Sequence, residues 1–128
     1  MELCRQVLNL AANGDVEIIT SALTIAEVLN LRGRQPIQAD KRKQVTDFFK
    51  RSYIIPVSIT RRVAEESRDL VWDHGIEPKD ALHVATALSA KVDVFNTFDQ
   101  PLIGKSLKIG NPKLRIEIPT VAQGDLGV

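Results

Sequence analysis

Apolar positions recur at two spacings along this chain, and the alternation between the spacings lays out its elements. Leu3, Val7, Leu8 and Ala11 share one side of a helix over Met1 to Ala12, with Cys4 beside them, and Asn13-Gly14 closes it. Val16 to Ile19 is a short apolar run that predicts a strand. It turns directly into a helix from Ala22 to about Leu31, with Thr20 or Ser21 as cap and Gly33 past its end. Arg32 to Ala39, holding Gly33 and Pro36, reads as a loop. Asp40 to Arg51 resumes a helix whose inner face is Val45, Phe48 and Phe49. Tyr53 to Val57 predicts the next strand. A helix capped by Ser58 or Thr60 then runs to His74 and stops at Gly75, with Ile59, Val63, Leu70 and Val71 turned inward. Trp72 falls off that face, beside Arg68 and Asp69, and reads as a partly covered rim residue or a contact for another chain, with the rim favoured.

The stretch from Glu77 to Gln100 carries the strongest pattern. Pro78 suits a first helical turn, where its missing N–H costs nothing, and Ala81, Leu82, Val84, Ala85, Ala87 and Leu88 form a broad apolar face, giving a helix over about Lys79 to Ala90. Val92 to Thr97 is too short for a helix and reads as a buried strand. Leu102 to Gly110 is a loop or short helix, Leu114 to Ile118 a final strand. Strands alternating with helices predict one α/β domain over residues 1–128, a three-layer α/β/α sandwich with a mainly parallel sheet. In such a sheet a helix start and the carboxyl end of the strand that follows it share one edge. Asp80, in the first turn of its helix, and Asp99, just past its strand, are therefore expected to meet, and two converging carboxylates suit a hard divalent cation. Each aspartate also has an ordinary reading: Asp80 is favoured by the helix dipole, and Asp99 can form a turn before Pro101.

Glu27 is less determined. It lies about 9 Å along its helix among apolar neighbours. If buried, it needs a partner or a metal; if not, Thr24, Glu27 and Asn30 are a solvated stripe.

Composition narrows the function by exclusion. The single cysteine, Cys4, forms no internal disulfide and has no second soft ligand near it, so it reads as a small buried hydrophobe. No apolar run spans a bilayer, and there is no charged-then-apolar leader, so the default expectation is a cytoplasmic location without membrane contact. The net charge is only +1, yet seven basic residues from Arg32 to Arg51 stand against two aspartates, a local balance of +5. That basic stretch is either a solvated helix face or a surface that steers nucleic acid.

Three segments in order then carry a family resemblance: Ser21-Ala-Leu-Thr24-Ile-Ala-Glu27-Val-Leu, Asp80-Ala-Leu-His-Val-Ala-Thr-Ala-Leu88, and Asn96-Thr97-Phe98-Asp99. They resemble the second, third and fourth acidic motifs of PIN-domain ribonucleases, most closely the small VapC-type toxins of toxin–antitoxin pairs. The resemblance implies that Glu27, Asp80 and Asp99 join a cluster holding Mg²⁺ or Mn²⁺, that Ser21, Thr24 and Thr97 support it, and that RNA is the substrate, with an antitoxin as protein partner. Arg32, Arg34, Lys41, Arg42 and Lys43 are then the expected RNA-steering residues. One motif is missing. The family opens with a hydrophobic strand ending in an aspartate, whereas the only early aspartate here, Asp15, follows Asn13-Gly14 in a turn. Loss of that N-terminal strand would leave an open slot in the sheet between Val16–Ile19 and Val94–Thr97. Exposed strand edges are costly and invite another chain, so instability, self-association such as a homodimer, or the open slot itself is expected, and nuclease activity would be weak. His83, three residues after Asp80, reads as a packing residue because a hard-cation cluster does not require imidazole. A phosphoacceptor domain would also gather carboxylates at a sheet edge, but it needs a lysine at a late strand end, and neither Lys105 nor Lys108 is so placed.

Overall fold

The computed structural model describes residues 2–27 and 39–119. The chain begins with α1 (Glu2–Ala12), which ends as the Asn13-Gly14 pair predicts: the Gly14 amide donates to the Ala11 carbonyl at 3.0 Å and the Asp15 amide to Leu10 at 2.9 Å. The Cys4 side chain lies outside what is described. Then come β1 (Ile18–Ser21), α2 (Ala22–Glu27), α3 (Ala39–Phe49), β2 (Ile54–Val57), α4 (Arg61–His74), α5 (Pro78–Ala90), β3 (Phe95–Asn96), α6 (Gln100–Ile103) and β4 (Ile116–Glu117). This is the α/β fold expected from the alternation of helices and strands, and every strand pairing is parallel.

Helices α4 and α5 pack together and hold most of the core. Val63 and Leu70 from α4 meet Ala81, Val84, Ala85 and Ala87 from α5, with Ile76 from the link between them. Both helices are well terminated. Thr60 caps α4 by accepting from the Val63 amide at 3.2 Å, and Gly75, at φ 65°, lets the chain turn out with its amide bonded to Val71. Pro78 occupies the first turn of α5 as predicted. The inner face of α4 is nevertheless set by Val63, Ser67 and Leu70; Ile59, expected inside, is 39% exposed because it lies ahead of the cap. Trp72 is corrected further. It is 71% exposed, with the Arg68 guanidinium 4.9 Å above its ring as its cover.

The strands depart most from expectation. Strand β1 starts two residues later than its apolar run and extends to Ser21, because its ladder with β2 pairs Ile18 with Ile54 and Ser21 with Val57. Pro56 is tolerated in β2 because its outer edge is unpaired by any described strand. Among the described residues the strands form two parallel pairs, β1 with β2 and β3 with β4, rather than one sheet. The run Val92 to Thr97 was expected as a buried strand, yet only Phe95 and Asn96 are in β3, and Asn96 is exposed. Paired on one side alone, this segment has too short a ladder to form more strand. Between β1 and β3 lies a cleft of about 870 Å³. Its walls include residues 14–21, which contain all of β1, the 91–97 segment, and the Asp80, His83 and Thr86 side of α5.

Candidate metal and nuclease site

Three elements deliver carboxylates toward the start of α5. Asp80 lies in its first turn and is half-buried. Asp99 is the N-cap of α6, where its Oδ2 accepts from the Leu102 amide at 3.0 Å while its own amide donates to Thr97 Oγ1 at 3.1 Å. Thr97 thus supports Asp99 through the backbone, and one carboxylate oxygen of Asp99 is committed to capping. Glu27 closes the described part of α2. Its Oε1 lies 2.9 Å from His83 Nε2, and its Oε2 lies 3.8 Å from Lys79 Nζ. Lys79 and His83 are one turn apart on α5, so the helix holds Glu27 at two levels.

That contact overturns two expectations. His83 is not merely a packing residue, since its ring reaches across from α5 to the Glu27 carboxylate. Nor is Glu27 part of a solvated stripe with Thr24: Thr24 Oγ1 accepts from Thr20 Oγ1 at 2.9 Å instead, and Asn30 lies outside the described residues. The pattern Lys79-x₃-His83 beside Asp80 was the signal available in the sequence. Spacing shows such pairs share a helix face, but not which residue of another helix they meet.

The electrostatics single out Asp80. Burial pushes its carboxyl above the ordinary value, the nearby charges of Asp99 and Glu77 push it further, His83 opposes the shift, and Glu27 adds to it. Three other carboxylates therefore act on this one group. Among the described residues, however, no three His, Cys, Asp or Glu side chains stand close enough to hold a single metal ion. Both facts hold because charges repel over distances longer than a metal–oxygen bond. The donors are all hard oxygens and the local field is negative, so the residues fit a hard divalent cation in chemistry and charge.

The remaining predicted residues divide. Ser21 is 3% exposed and its Oγ accepts from the Leu23 amide at 3.1 Å, so it starts α2 as expected and lines the cleft. Arg32 and Arg34 lie outside the described residues. Lys41, Arg42 and Lys43 are exposed on α3, but Lys43 is engaged with Asp47 at 2.8 Å, which reduces the field that side presents. Lys105 and Lys108 sit in the turn after α6, and neither follows a strand directly.

An α/β domain with carboxylates gathered at a helix start, beside a cleft between parallel strands, is the architecture of a hydrolytic or cation-binding site at a sheet edge. The PIN-domain family model matches residues 2–103, and the chain belongs to that family. PIN domains are typically nucleases, act on RNA and usually use divalent metal ions. No curated protein and no solved structure matches the chain. Among the described residues, no helix is long and apolar enough to cross a membrane.

Proposed function

We propose that this PIN domain is a Mg²⁺- or Mn²⁺-dependent endoribonuclease, acting in the cytoplasm as the toxin of a toxin–antitoxin pair. The observation that carries the reading is the place of Asp80, in the first turn of α5 and in the wall of the cleft, where burial and, after it, the charges of Asp99, Glu77 and Glu27 raise its carboxyl against the opposing His83. Repulsion of this kind is costly without a cation to offset it, and perturbed carboxylates in a cleft mark functional sites. Glu27, Asp80 and Asp99 would hold the metal, which supplies an activated water and neutralises charge developing on the phosphate. Asp80 presents its oxygens from a helix start. Asp99 offers the oxygen not used in capping α6. His83 and Lys79 orient Glu27 rather than bind metal themselves. The exposed basic residues of α3, Lys41, Arg42 and Lys43, raise the local concentration of RNA through phosphate attraction, with Arg32 and Arg34 assigned the same role from the sequence. The toxin assignment rests on the likeness of the three acidic segments to VapC-type proteins.

Cleavage of a single-stranded RNA in Mn²⁺ tests this reading. Asp80→Asn, Asp99→Asn and Glu27→Gln are each expected to lower the rate at least about 100-fold, as loss of a group positioned in the transition state does. Cleavage by all three variants at the wild-type rate removes these residues from the site.

A second reading has its own support in the split sheet. The cleft between β1 and β3 is flanked by strands each paired with one other strand, and among the described residues no three acidic side chains are within reach of one ion. In this reading the domain is catalytically impaired until a further strand ending in an aspartate lies in the cleft, and meanwhile serves as an RNA- or protein-binding module or self-associates. Activity confined to a longer chain that carries such a strand would favour it.

A further inference from the structure

We propose that the outer face of α4 is the interface of a two-fold symmetric dimer, in which α4 packs antiparallel against α4 of a second copy of this chain. The proposal goes beyond the ribonuclease reading and does not rest on it. Val63, Ser67 and Leu70 turn into the core, so at about 3.6 residues per turn the opposite side of the helix is carried by Arg61, Glu65, Arg68 and Trp72. All four are exposed. Trp72, at 71%, is the most exposed large hydrophobic side chain among the described residues. Arg68 lies over its ring and bonds Asp69 at 3.1 Å, while Arg61 and Glu65 stand 3.7 Å apart, too far for a hydrogen bond. Tryptophan and arginine on one rigid helix face are the residue types that most often carry the binding energy of a protein interface.

The order of these residues selects the partner. Arg61, Glu65, Arg68 and Trp72 follow spacings of four, three and four, which read the same in either direction. A two-fold axis at the middle of the helix, level with Glu66 and Ser67, therefore sets Arg61 opposite the partner's Trp72 and Glu65 opposite the partner's Arg68, with each contact made twice. The first is a cation–π contact and the second an ion pair, which contributes little in water but fixes register once a second helix covers it. The charges at the helix ends agree with this pairing. Arg61 and Arg62 occupy the first turn and Asp73 stands in the last beside His74, so three of these four charges oppose the helix dipole. Antiparallel packing brings each basic start to the carbonyl end, and to the Asp73, of the other helix. RNA fits this face less well, because its phosphates would meet the carboxylates of Glu65 and Asp69 set among the arginines.

Sedimentation equilibrium of the full chain from micromolar to millimolar concentration tests this, with tryptophan emission followed over the same dilution series. Trp72 is the only tryptophan, so its emission reports on this face. Wild type should dimerise, and its emission should move to shorter wavelength as concentration rises. Trp72→Ala should raise the dissociation constant at least about 30-fold, the effect of truncating a central interface residue. Glu65→Arg and Arg68→Glu each set like charges opposite one another twice, and each should raise it at least about 10-fold. The decisive arm mixes those two single variants. When one chain of each pairs with the other, opposite charges face each other at both positions, so the mixture should associate at least about 10-fold more tightly than either variant alone. That recovery also shows that both variants are folded. A wild type that stays monomeric at millimolar concentration overturns the proposal. A dimer whose affinity these substitutions leave unchanged overturns it as well and places the contact elsewhere, as at the strand edges, and so does a mixture no tighter than its components. A shift of Trp72 emission on adding single-stranded RNA, with the chain remaining monomeric, would assign the face to nucleic acid instead.

Discussion

The pair of helices α4 and α5 and the strands beside them are built from the same chain by different rules. Every terminus of the helix pair is resolved locally: Thr60 and Pro78 start the helices, Gly75 and Lys91 end them in left-handed conformations, and Val63, Leu70, Val84 and Ala85 close the space between. The strands instead form two separate parallel pairs with a cleft between β1 and β3. A helix completes its hydrogen bonds within itself, whereas a strand depends on partners distant in sequence. Asp80 stands where these two regimes meet, in the first turn of α5 and in the wall of the cleft between the strand pairs.

The largest effect expected from this difference comes from Val84→Asp. Val84 is fully buried in a core cluster whose members are all apolar. An unpaired buried charge costs several kcal/mol, comparable with the whole stability of a small domain. The variant should therefore fail to give a cooperative thermal transition, whereas Ile25→Asp, at a position 39% exposed, should shift it little. Similar losses at both positions would show that α2 and the strand side carry as much of the stability as the helix pair.

A smaller effect probes where the two regions touch. Gly110 adopts φ 89°, and a Cβ there would lie 2.6 Å from Leu88 Cδ2, on the C-terminal end of α5. Gly110→Ala therefore combines left-handed backbone strain with displacement of Leu88, and should cost about 1–3 kcal/mol. Denaturant unfolding measures it. An unchanged midpoint would mean that the segment before β4 moves away without disturbing α5.

What could be read from the residues alone follows the same division. The bounds of α4 and α5 were legible because proline, glycine and a hydroxyl cap act over a few residues; topology led to the expectation that Asp80 and Asp99 converge, and what the structure carries of it is the charge of Asp99 acting on Asp80. The extent of β3 was not, since Val92 to Thr97 has apolar content enough for a strand but only one partner to form it against. Glu27 was ambiguous for a related reason. Its setting is decided by Lys79 and His83, more than fifty residues away, and spacing within α2 holds no trace of them. Trp72 was misjudged because a cation over its ring, not burial, accounts for its position.

The smallest predicted change concerns charge rather than packing, and it connects the comparison to function. Asp80 binds its proton more tightly in the folded chain than in the unfolded one, because burial and the charges of Asp99, Glu77 and Glu27 disfavour its ionised form. The stability contributed by that proton is fully present below the unfolded value near 3.8 and is lost as pH rises through the raised folded value. Asp80→Asn stays neutral throughout. Without divalent cations, the variant should therefore gain on wild type as pH rises from below that value toward neutrality, and the gap should then level off. Adding Mn²⁺ at neutral pH should reverse the order, since a cation bound only by the folded state stabilises wild type by mass action and finds one fewer oxygen ligand in the variant. A melting series in pH, repeated with Mn²⁺, separates these effects. A gap independent of pH would show that neither burial nor its neighbours' charges disfavour the ionised Asp80, and an order unchanged by Mn²⁺ would show that no cation site relieves them.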